Sequence, residues 1–87
     1  MQATSQGVYM SFERMEGWRV VFFDSHTQQR LRVMNFQDED KAVELARRGG
    51  ALANLEAKQA IEKGISNGKG GVFLKLSTAQ YNKLIGR

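Results

Sequence analysis

Apolar and polar residues alternate with a period of two in three stretches of the N-terminal half. Val8, Met10 and Phe12 alternate with Tyr9, Ser11 and Glu13, which predicts a strand. Gly17 to Asp24 holds the only Trp, two of the five Phe and two adjacent Val. β-branched and aromatic residues at that density predict a second strand. The run Val20 to Phe23 leaves neither face of it polar at the centre, which predicts a central strand covered on both sides. Arg30-Leu31-Arg32-Val33-Met34 alternates again and predicts a third. Between them, Glu13 to Gly17 reads as a turn, with Gly17 able to take a positive φ, and Ser25-His26-Thr27-Gln28 reads as a hairpin loop.

The pattern also predicts a register. Placing Phe12 opposite Trp18 sets Met10 against Val20 and Val8 against Phe22. Placing Phe22 opposite Leu31 sets Val20 against Val33. Every pair on this inner face is then apolar. A slip of one residue would turn Arg30 and Arg32 inward, so the pattern favours this register.

The period then changes. Asn35 to Asp40 opens a helix that Asp38 or Asn35 can cap, with acidic residues favoured at its N-terminus. Ala42, Leu45 and Ala46 form its apolar stripe, Arg47 and Arg48 occupy its last turn, and Gly49-Gly50 ends it. A second helix is expected from about Leu52 to Ile65, with Ala53, Ala57, Ala60 and Ile61 as its stripe and Leu52 and Leu55 near its start. Ser66 to Gly71 breaks all periodicity. Val72, Leu74 and Leu76 alternate with Phe73 and Lys75 as a fourth strand. Ser77-Thr78-Ala79-Gln80 has the capping-box pattern before a closing helix that carries Tyr81, Leu84 and Ile85 on one side. The order β-β-β-α-α-β-α predicts an α+β fold, a mostly antiparallel four-stranded sheet with helices packed on one face.

Eighty-seven residues suit one domain, here 7–87, behind a tail at 1–6 that has no periodicity and is expected to be disordered. With 41% hydrophobic and 25% charged residues the chain falls in the globular range. It has no cysteine, which excludes disulfides and thiolate metal sites. No apolar run reaches the roughly 18 residues of a membrane span, and the first residues do not read as a signal peptide. A cytoplasmic protein without membrane contact is the expectation. The net charge is +4, and six basic against two acidic residues place the surplus in 49–87. Such a balance suits a polyanionic partner and equally suits a solvated basic surface.

Signals for catalysis are weak. The single histidine, His26, falls in a predicted loop with no neighbouring nucleophile or acid at triad spacing. Asp38, Glu39 and Asp40 have the chemistry of a hard-cation site, but their place at a helix start is explained by the helix dipole. Neither metal nor cofactor is expected. The glycines of Ser66–Gly71 allow an anion-binding nest beside Lys69 or a plain connection, and the P-loop spacing is absent.

The outer sheet face carries the stronger signal. The predicted register gathers Tyr9, Phe23 and Phe73 there with Arg19, Arg30, Arg32 and Lys75, around Val21. Rings that stack on bases beside cations that meet phosphates suit single-stranded DNA or RNA. Arginines on a three-stranded sheet also suit a duplex major groove. The same apolar strip would equally suit a helix cover, a homodimer or another protein partner. In outline, Gly17 to Arg48 is similar to the sheet-plus-helix DNA-binding domains of integrase N-termini, through Gly17-Trp18, the Arg-bearing third strand and Phe36 before the Ala42 helix. Many small meanders share those features, and the two further helices and the fourth strand lie outside that outline. The expectation is a non-enzymatic binding domain that contacts nucleic acid through Arg19, Arg30, Arg32, Lys69 and Lys75, or a protein-interaction module using Tyr9, Val21, Phe23 and Phe73.

Overall fold

Burying one face of each strand requires helices on that face only, and the computed structural model has this arrangement. It describes residues 7–15, 17–68 and 70–86. The elements are β1 (Val8–Met15), β2 (Gly17–Asp24), β3 (Arg30–Phe36), α1 (Glu39–Ala53), α2 (Leu55–Asn67), β4 (Gly70–Leu76) and α3 (Thr78–Leu84). The sheet order is β3-β2-β1-β4, antiparallel at every junction. This is the α+β order expected from the sequence. The tail expected at 1–6 lies outside the described residues. No helix is long and apolar enough to cross a membrane among the described residues.

The helix-covered face holds the core. Val8, Met10 and Phe12 of β1, Trp18, Val20 and Phe22 of β2, and Leu74 and Leu76 of β4 are buried there. Phe12 stacks on Trp18 with ring centroids 4.7 Å apart, and Phe22 meets Tyr81 of α3 at 5.1 Å. Asp38 caps α1 by accepting the Asp40 N–H, and Asn54 caps α2 by accepting that of Ala57. Ser77 and Gln80 form the capping box of α3. Gln80 also donates from Nε2 to the Leu52 carbonyl at 2.6 Å, tying α3 to the end of α1.

Gly49-Gly50 does not end α1, which continues to Ala53. Both glycines are buried. A Cβ on Gly49 would stand 2.8 Å from Sδ of Met10, and one on Gly50 would stand 3.1 Å from the Lys58 Cα. The pair is where α1 approaches β1 and α2 closely, and Arg47 and Arg48 are therefore interior to the helix. α2 begins at Leu55, so Leu52 and Ala53 belong to α1; the buried side of α2 is Ala57, Ile61 and Gly64, while Ala60 and Leu55 are exposed.

Both hairpin registers differ from the expected ones. β1 and β2 continue through the residues read as a turn, up to Met15 and from Gly17, and the pairing moves by two: Phe12 faces Val20, Met10 faces Phe22 and Val8 faces Asp24. A shift of two preserves which face each side chain occupies. The extra length is filled by polar matches, Glu13 opposite Arg19 and the Arg14 guanidinium 5.4 Å from the centre of the Trp18 ring. β3 moves by one. Trp18 faces Phe36, Val20 faces Met34, Val21 faces Val33 and Phe22 faces Arg32. Met34 and Phe36 thus pack on the core in place of Leu31 and Val33, which are 46% and 41% exposed. Arg32 takes the helix-side parity yet remains exposed, at the end of an edge strand. A bulge between Phe22 and Phe23 absorbs Leu31 and returns Arg30 to the open side, opposite Phe23.

Candidate nucleic-acid interface

Among the described residues no helix covers the sheet face away from α1, α2 and α3, and the register of this bare face resolves into transverse rows. At one end, Lys75 of β4, Tyr9 of β1, Phe23 of β2 and Arg30 of β3 are successive cross-strand partners. The next row is Phe73, Ser11, Val21 and Val33. The third brings Glu13, Arg19 and Asn35 together. Cross-strand partners lie side by side, so each row runs perpendicular to the strands.

The first two rows make a ring cluster. Phe73 leans toward the first row, with its centroid 4.9 Å from Tyr9 and 6.4 Å from Phe23. Phe73 is 60% exposed. Tyr9, Phe23, Phe73 and Gln28 line an open depression of about 440 Å³. Gln28 comes from the β2–β3 turn, where it has a φ of 63°. That turn is built on Asp24, whose Oδ1 accepts the N–H groups of His26 and Thr27 at 2.8 and 3.0 Å. Those bonds, that of Thr27 first, hold the Asp24 carboxyl below the usual carboxylate range. Val21 on this face is 3% exposed.

The expected cations divide. Arg30 and Lys75 stand on the bare face at opposite ends of the first row, both exposed. Among the described residues neither pairs with a carboxylate. Arg19 is on the same face but donates from Nε and Nη2 to Glu13 Oε1, which neutralises much of the third row. Arg32 is on the other side of the sheet, opposite Phe22. It leaves the expected set because β3 has slipped by one residue. Lys69 lies outside the described residues. The connection it belongs to is shorter than expected, since α2 runs to Asn67 and β4 starts at Gly70. Gln28, Leu31 and Val33 were not singled out from the sequence. The apolar character of Leu31 and Val33 argued for the inner face, and a turn glutamine gave no signal.

His26 is exposed in the turn with its backbone N–H bound to Asp24. No group of three or more His, Asp or Glu side chains comes together to hold a metal among the described residues. Comparison of the chain with protein-family models, with curated proteins and with solved structures finds no match.

Proposed function

We propose that this protein is a binding domain that contacts nucleic acid through the bare face of its sheet and performs no catalysis there. One observation carries the reading. Tyr9, Phe23 and Phe73 cluster on a face that no helix among the described residues covers, and the row that holds Tyr9 and Phe23 has a cation at each end. Rings stack on bases whatever their sequence, and cations meet phosphates. The basic surplus of the chain favours the approach of a polyanion. Fluorescence polarisation with labelled single- and double-stranded DNA and RNA tests the proposal. Binding at low salt that weakens as salt rises is expected. Absence of binding to every probe at low salt refutes it, because phosphate contacts are strongest there.

A second reading rests on Val33, exposed opposite the buried Val21, together with Leu31, exposed on the same edge strand β3. In this reading the face is buried against a protein, either a second copy or another chain. Sedimentation equilibrium separates the two. A dimer that Val33→Asp disrupts, with no binding of any oligonucleotide, favours the second.

A further inference from the structure

We infer that the strand this face takes is single, short, and laid across the β-strands along the row Arg30–Phe23–Tyr9–Lys75. The inference rests on the proposed function and specifies the ligand class and its path.

The register separates single strands from duplexes. A duplex major groove is read by a helix or a two-stranded ribbon whose side chains converge on base edges. In β3 the two candidates, Arg30 and Arg32, lie on opposite faces. What remains on the bare face is a ring cluster with its most exposed member, Phe73, presenting its surface to solvent. A ring can stack only on a base whose own π face is open, and bases inside a duplex are already stacked. The rings also lie too close to one another, 4.9 Å between Tyr9 and Phe73, to admit a base between them. They form one platform on which bases lie.

The path follows from the charges. A chain running along β2 from Phe23 would pass over Val21 and reach the Arg19–Glu13 ion pair, where a carboxylate repels phosphate. A chain running across the sheet meets Arg30 at one end and Lys75 at the other. These lie three interstrand spacings apart, about 14 Å. Rings on a sheet of this kind hold about three bases. The Lys75 side chain passes near the start of β1, where a Cβ on Gly7 would stand 3.2 Å from its Cε.

Two cations imply a shallow salt dependence. Each neutralised phosphate of a single strand contributes about −0.7 to the slope of log K against log salt, so the expected slope is about −1.4. Polarisation titrations of oligo(dT) and oligo(U) in a length series, with duplex competitors and across a salt series, test this. Affinity should level off at about three to four nucleotides once the statistical gain of longer probes is removed. Duplex should compete poorly. Arg30→Ala and Lys75→Ala should each make the slope shallower by about 0.7, while Arg32→Ala leaves it unchanged. Phe73→Ala should weaken binding roughly 5- to 150-fold, as expected for the loss of one base stack. These are exposed positions, and circular dichroism checks that each variant is folded. Duplex binding as tight as single-strand binding, or a slope that Arg32→Ala changes as much as Arg30→Ala does, overturns the path and leaves nucleic-acid contact standing. No binding to any probe overturns both.

Discussion

The bare face exists because all three helices sit on the other side, and the closeness of α2 to β4 can be tested at Gly64. This residue lies on the buried side of α2, beneath Ile61. A Cβ placed there would stand 2.7 Å from Cγ2 of Val72 and 3.0 Å from the carbonyl oxygen of Gly70. Neither neighbour can move easily. Val72 is β-branched and stiff at χ1. The Gly70 carbonyl belongs to the backbone of a strand paired with β1. Two terms compete when Gly64 becomes Ala. Removing a glycine from a helix interior stabilises by about 1 kcal/mol. Overpacking a closed contact costs about 1–3 kcal/mol, and the upper half of that range applies where backbone must shift. The net expectation is a destabilisation of about 1–2 kcal/mol. For a domain of this size each kcal/mol lowers Tm by about 4–8 °C.

The assay is thermal and urea unfolding of Gly64→Ala followed by far-UV circular dichroism, with m unchanged. A double-mutant cycle isolates the contact. Val72→Ala removes the Cγ2 that the new methyl meets, so Gly64→Ala should cost about 1 kcal/mol less in that background. If Gly64→Ala alone raises Tm by the full propensity gain, α2 does not lie this close to β4 and the account of the packing fails.

Three further outcomes are expected. Phe22→Ala, at a fully buried position against Tyr81, should cost about 3–5 kcal/mol, a large share of the stability of a small domain, and urea titration measures it. Ser77→Ala should cost about 1 kcal/mol through the lost N-cap; Gln80→Ala should cost more, because that side chain also holds the Leu52 carbonyl. The Arg47–Glu62 pair between α1 and α2 holds the Glu62 carboxyl below its ordinary value, chiefly through the hydrogen bonds from Arg47. A depressed carboxyl stabilises the fold above its unfolded pKa and loses that effect as pH falls through the folded value. Tm curves of the natural chain and Glu62→Gln should therefore differ slightly at neutral pH and converge in acid, with the difference at neutral pH reduced by added salt.

The α+β class, the element order and the core residues of β1, β2 and β4 were legible because they depend on periodicity alone. A strand whose even-numbered residues are apolar buries them in any register that keeps parity. The first hairpin therefore could shift by two, from Phe12 opposite Trp18 to Phe12 opposite Val20, without moving a side chain from one face to the other. The end of α1 was not legible, because a Gly-Gly pair has two physical uses. It can terminate a helix, or it can let a helix touch its neighbours. The choice depends on Met10 and Lys58, which are distant in sequence and adjacent only once the sheet and α2 are in place.

The candidate site was legible to the same extent. Tyr9, Phe23, Phe73 and Lys75 belong to strands whose parity is fixed by a buried face, and they lie on the bare side as expected. Arg30 and Arg32 do not have that protection. β3 is an edge strand with β2 as its one partner, so its inner residues compete: Leu31 and Val33 against Met34 and Phe36. Burial of a large apolar side chain stabilises by about 1.5–3 kcal/mol wherever it occurs. The difference is therefore set by where helix cover is available, which is at the Met34–Phe36 end. The penalty expected for turning Arg32 inward vanishes, since that end of the strand is exposed on both sides. Parity alone would then have carried Arg30 to the helix side as well. It stands opposite Phe23 because Leu31 is extruded as a bulge, and a bulge adds one residue to a period-two pattern without leaving a mark in it. The cation that closes the proposed row thus depends on the one irregularity in the β2–β3 pairing. Deletion of Leu31 would remove the bulge and set Arg30 directly beside Arg32 in a regular pairing, still opposite Phe23, so the contributions of Arg30 and Lys75 to the salt slope should both persist; loss of the Arg30 contribution in that variant would refute this account of the bulge.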